Sequence, residues 1–197
     1  MRFLALYLRS RGVPLAVAAS AGSVAALWSI DRATDHRGAG ALALLAVVAA
    51  TLAAGPGLAG PDVDLDRTAA IPWPPRRAAH VVAAGAAVVG LVTATWFTGD
   101  QLAPAAQVTR DAIGMSGLIA LGAVTLGANQ AWIPPLSWTL LAWTLMALPW
   151  SLPASYRQVL TWMLQPADAT PAIVTALVLG AAGVLAYAVL GPAHERP

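Results

Sequence analysis

The chain lacks cysteine and lysine altogether and has little charge of either sign, with 10% charged residues in a length of 197. Without cysteine there is no disulfide, no thiolate metal site and no disulfide redox chemistry. Without lysine there is no phosphate-binding loop of the Gly-rich, Lys-Ser/Thr type, so any work by ATP needs another chain. A net charge of +2 is too small to mark a nucleic-acid surface. Soluble domains carry about 25% charged residues. The few charges here cannot coat a globule of this size, and they are bunched between apolar runs.

What is present is apolar: 58% hydrophobic residues and a mean hydropathy of +0.69. That is the membrane pattern, and it predicts an all-α polytopic protein. A crossing helix needs about 20 mainly apolar residues. Six segments fit: 13–30, 39–54, 81–97, 112–128, 133–150 and 171–190. The second and fourth are short and rich in Ala and Gly. The polar, proline-containing stretch ANQAWIPP (128–135) separates the fourth from the fifth. No clear cleavage site follows the first run and five more runs follow it, so it reads as a retained span.

Arginine sets the expected orientation. With the N-terminus inside, Arg2, Arg9, Arg11, Arg67, Arg76, Arg77 and Arg196 are cytoplasmic, against Arg32, Arg37, Arg110 and Arg157 outside. Trp28, Trp96 and Trp150 then fall at outer helix ends, at the headgroup level that indole prefers. The expectation is a multi-pass cell-membrane protein with both termini cytoplasmic. Two amphipathic pieces flank the spans. MRFLALYLRSRGVP puts Phe3, Leu4, Tyr7 and Leu8 on one face and predicts an interfacial helix over 1–12. PASYRQVLTWMLQP spaces Tyr156, Val159, Leu160 and Met163 helically between Pro153 and Pro166, predicting a short outer helix, interfacial or re-entrant, before the last span.

The one long polar stretch is GPDVDLDRTAAIPWPPRRAAH, residues 60–80, cytoplasmic in this orientation. Asp62, Asp64 and Asp66 suit a helix start, and Pro72, Pro74 and Pro75 would stop that helix after about two turns. Trp73, between prolines, is a rigid apolar anchor for headgroups or a partner's pocket. Arg76, Arg77 and His80 would sit at the membrane edge near anionic lipid. Such a loop either merely keeps orientation or serves as a handle for another protein.

The layout of an interfacial helix, six spans, a helical loop after span two and an outer helix before span six resembles the permease subunit of type-2 ABC exporters. YLRSRGVP and DLDRTAAIPWPPRRAAH also resemble stretches of small actinobacterial ABC-permease-like membrane proteins. The resemblance implies a loop that docks as a coupling helix on a separate cytoplasmic ATPase. Carried over by position, Asp64, Leu65, Asp66, Arg67 and Thr68 would form the docking surface, flanked by Asp62 and Trp73. It further implies pairing with a second copy or a sister permease, with ATP and Mg held by the ATPase and no catalytic residue or cofactor in this chain. The alternative is a non-catalytic accessory or scaffold subunit of a larger membrane complex.

Three chemical motifs compete with these readings. IGMSGL (113–118) matches the Gly-x-Ser-Gly of rhomboid proteases, which would make Ser116 the nucleophile of an intramembrane hydrolase. Such a serine needs a base within hydrogen-bond reach, and His36, His80 and His194 all fall outside span six. The plainer reading is close packing by Gly114, Ser116, Gly117 and Ala120. Asp62, Asp64 and Asp66 resemble the start of a calcium loop, but no turn Gly or closing Glu follows, so no metal site is expected. Arg110 and Asp111, adjacent in sequence, are expected not to face one another and to anchor at the outer interface. Inside the spans no carboxylate is expected to be buried, which disfavours a proton relay. The remaining polar lining is soft: Thr93, Thr95, Thr125, Ser137 and Trp138, of which Thr can bond its own helix backbone. Thr139, Trp143 and Thr144 of span five are the candidate substrate path, suited to a lipid-like molecule rather than an ion.

Overall fold

Proline and glycine decide where the helices begin and end. The computed structural model describes residues 12–58, 73–99, 101–147 and 153–193, which are helical with no strand among them. Those residues form α1 (Val13–Ala33), α2 (Ala39–Ala54), α3 (Trp73–Thr93), α4 (Ala105–Leu126), α5 (Ile133–Ala147), α6 (Ala154–Leu160) and α7 (Thr170–Leu190). Tight 3-10 turns prolong α2 through Gly55–Leu58 and α3 through Ala94–Thr98, and another, Trp162–Leu164, follows α6. Pro14, Pro74, Pro75, Pro134, Pro135 and Pro171 all sit in the first turn of a helix. A first-turn N–H has no intrahelical acceptor to lose, and the ring already holds φ at a helical value. The loop helix that Pro72, Pro74 and Pro75 are expected to stop lies outside the described residues, and Pro74 and Pro75 themselves open α3. That helix therefore starts at Trp73, not at residue 81. Gly127 (φ 92) and Gly191 (φ 71) end α4 and α7 in backbone geometry that a side chain would strain.

The helices run alternately between two ends. Val13 of α1, Gly57 beyond α2 and His80 of α3 border one cavity, which fixes one end. At the same end Tyr187 donates its hydroxyl to Leu58 O at 2.6 Å, and Ala193 N donates to Ala123 O at 2.8 Å. Trp28 of α1 borders Thr95 and Thr98 at the opposite end. So α2 finishes and α3 begins at the end where α1 begins and α7 finishes.

α4 is the centre. Most of it is buried, from Val108 to Ala123, and it packs on α7 more extensively than on any other helix, with α2, α3 and α5 around it. The α4–α7 contact is backbone against backbone. A methyl on Gly117 would strike the Leu179 carbonyl and approach Gly180 N to 2.6 Å, and one on Gly183 would strike Gly117 O. Small residues let helices approach this closely where lipid gives no hydrophobic drive to associate.

Four helical stretches are long and apolar enough to cross a membrane: Val13–Ala33, Ala39–Leu58, Trp73–Thr98 and Thr170–Leu190, with mean hydropathies of 1.7, 2.0, 1.8 and 2.4. α4 and the described part of α5 do not join them. The six segments of the sequence reading thus reduce to four by this measure, among the described residues. The outward surface is apolar as well, with Leu15, Val82, Val178, Leu185 and Val189 all more than half exposed. In water such a face would be an adhesive patch; in lipid it is the expected coat. The interfacial helix over 1–12 lies outside the described residues apart from Gly12.

Candidate functional site

Of the expected docking residues, Asp62, Asp64, Leu65, Asp66, Arg67 and Thr68 lie outside the described residues. Trp73 is the first residue of α3, half-buried, with the Arg76 guanidinium 6.0 Å from its ring centre. Arg77 lies across the end of α7, where a Cβ on Gly191 would come within 2.7 Å of its Nη1. A cation there meets the negative end of the α7 dipole. The start of α3 is therefore tied to the finish of α7.

Beyond that tie α3 is loosely held. Only Val81, Val88 and Val92 of its 21 residues are buried, and a cavity lies on each side. One, about 130 Å³, separates α3 from α1 and α2 and is lined by Ser20, Gly57, His80 and Val88 among others. The other, about 380 Å³, separates α3 from α4 and α7. Gly85 is where α3 touches α4: a methyl there would come within 2.8 Å of Ser116 Oγ.

The expected path residues lie elsewhere. Thr139 donates to Pro135 O at 2.7 Å and Thr144 to Leu140 O at 2.8 Å, so both hydroxyls are satisfied within α5. Trp143 is half-buried and Thr144 exposed, and neither cavity beside α3 is lined by any of the three. Ser116 is buried on the wall of the larger cavity, whose lining has no histidine, carboxylate or lysine to serve as a base. Gly114 and Gly117 do pack closely, one under the Trp162 ring and the other against α7. Among the described residues no group of three metal-ligating side chains converges.

Arg110 and Asp111 correct the sequence reading twice over. They do face one another: Arg110 Nε donates to Asp111 Oδ1 at 2.9 Å, and Nη2 lies 2.9 Å from the same oxygen. They are also buried rather than anchored at a surface, at 5% and 1% exposure. The reason is a tertiary contact. The chain after α6 dips inward so that Thr161, Trp162 and Met163 are fully buried, with Trp162 stacked on Gly114. Irregular backbone at that depth leaves carbonyls without helical donors, which is tolerated only where protein supplies them. Arg110 supplies them, donating from Nη1 to Gln165 O (3.0 Å) and Pro166 O (2.7 Å), and from Nη2 to Met163 O (3.4 Å). Its long arm reaches both the carbonyls and Asp111, so adjacency in sequence does not keep the pair apart. Asp31 is a second buried carboxylate, at 0% exposure beside His36 Nδ1 (2.6 Å), in a turn where Asp35 and His36 both take positive φ. Both carboxylates lie one residue outside the apolar segments 13–30 and 112–128, where α1 and α4 extend beyond those runs, so the expectation of no buried carboxylate inside the segments does not cover them.

Comparison with protein-family models, curated proteins and solved structures returned no match to this chain.

Proposed function

We propose that the chain is the membrane-spanning subunit of an ATP-driven exporter of the type-2 class. In this reading α1 to α5 and α7 make six crossings, and both termini and the 60–80 loop are cytoplasmic. Residues Asp62–Thr68 with Trp73 dock on a separate ATPase that holds ATP and Mg. A second copy or a sister subunit completes the pathway, and this chain contributes no catalytic residue. One observation carries the reading: α3 starts at Trp73, straight out of the polar loop, and runs between two cavities. A push on the loop reaches a helix that has room to move, while α4 and α7 stay locked together.

The test is co-purification. The wild-type chain should bring down a nucleotide-hydrolysing partner, and Asp64→Arg with Asp66→Arg should cut its recovery by at least about tenfold, since charge reversal opposes like charges across the contact. A complex recovered intact with the reversed loop, or a loop labelled only from outside the cell, overturns the assignment. A stable assembly without any ATPase leaves the scaffold reading in its place.

A further inference from the structure

The larger cavity has a feature that the transport reading does not use. Its volume is about 380 Å³, within the range of small-molecule sites, and it reaches the bundle surface at Val82, which is 59% exposed. Val82, Gly85, Ile113 and Val184 make the wall apolar, and Thr109 and Ser116 are its only polar side chains. Other hydroxyls in these helices are satisfied one turn back: Thr51, Thr93, Thr125 and Thr175 each donate to the carbonyl four residues earlier. Thr109 and Ser116 differ. Among the described residues neither has a hydrogen-bond partner, although Ser116 is only 8% exposed. Both hydroxyls open on the cavity rather than into packed protein, and a hydroxyl that faces apolar surroundings without a partner is costly where water is scarce.

We infer that this cavity is a binding site for a neutral, single-chain amphiphile of the acylglycerol type, drawn from the bilayer. Thr109 and Ser116 are seven residues apart, so they share a face of α4 about 10 Å apart along its axis. Thr109 lies near the start of the helix and Ser116 deeper. A glycerol hydroxyl at Thr109 and an ester carbonyl at Ser116 would satisfy both groups, with the acyl chain running on past Val82 and Val184. The wall has no ionisable group, so a carboxylate or phosphate head would enter unpaired, and the site selects against it. A pure hydrocarbon would leave both hydroxyls unsatisfied. The inference needs no ATPase and stands or falls apart from the exporter reading.

The experiment uses the full chain in phosphatidylcholine nanodiscs with a monoacylglycerol bearing a photoactivatable diazirine on its acyl chain. Crosslinks should map to the cavity walls of α3, α4 or α7, and unlabelled monooleoylglycerol should compete where oleate and hexadecane do not. Ser116→Ala should lower labelling about fivefold, as loss of one neutral hydrogen bond does, and Thr109→Val less, being more exposed. Gly85→Leu fills the cavity and should abolish labelling. Val82→Trp, at the exposed mouth, should do the same without disturbing the α3–α4 contact, so a misfolded Gly85→Leu leaves the question open to answer. The inference fails if hexadecane competes equally, or if Ser116→Ala and Val82→Trp both label like wild type. It fails too if wild type does not label and Val82→Trp turns a dimer into a monomer, for then a second copy covers the cavity.

Discussion

α7 and α3 both pack on α4, and they do so in opposite ways. α7 meets it through Gly117 and Gly183 with backbones touching, and through Gly180 against the Ile113 side chain, so little stands between them that can repack. α3 meets it at Gly85, with a cavity of about 380 Å³ alongside and a smaller one behind. A contact made of backbone has one arrangement, because any shift brings main-chain atoms into overlap. A contact made of a few side chains beside a cavity permits others. The bundle is thus a fixed pair with a looser neighbour, and the looser neighbour is the helix continuous with the polar loop.

The largest effect expected is at the end of the fixed pair. Arg110→Ala strips donors from a buried carboxylate and from the turn after α6, and breaking a buried pair costs about 3–5 kcal/mol. Detergent-solubilised protein should melt far below wild type or fail to accumulate. Arg110→Met combined with Asp111→Leu removes the stranded charge and should recover much of that loss; equal damage from the single and double changes would show that the carbonyls, not Asp111, dominate. Next comes Gly183→Ala, whose methyl meets the Gly117 backbone, a group that cannot step aside. Overpacking of this kind costs about 3 kcal/mol, read as a lowered melting temperature. The smallest effect has the opposite sign. Gly90 of α3 has open space around it, so Gly90→Ala should leave stability unchanged or raise it by about 0.5 kcal/mol. Comparable losses at Gly90 and Gly183 would erase the distinction between the two contacts.

Much of the secondary structure was legible in the sequence. The bounds read for the second segment, 39–54, match α2, and those for the first and last fall within three residues and one residue of α1 and α7. The short helix between Pro153 and Pro166 is α6 with its following turn. Which helices lie inside was harder to read. The two segments rich in Ala and Gly became α2 and α4, and more than half of the best apolar window of α2 is buried, against 11% for α1. Hydropathy rewards large apolar side chains, which serve lipid-facing surfaces, whereas small residues mark the places where helices touch. The burial of Arg110 could not have been read at all, since its carbonyl acceptors lie more than fifty residues further along the chain. The cavity was equally hidden. Ser116 drew notice as part of a protease-like motif, yet what sets it apart is that it lines a cavity beside Gly85 with no hydrogen-bond partner among the described residues.

The sequence alone determined that the chain is helical, that its helices suit a membrane, and that its polar, proline-bounded stretch falls between the second and third of them. Those outcomes follow from composition summed over neighbouring residues, since a local run of apolar side chains must leave water and a proline must sit where no N–H is needed. Only the tertiary structure decided which helix lies innermost, which arginine is buried and which hydroxyls are left facing a cavity. These depend on pairs of atoms brought together from distant segments, and no local sum contains them.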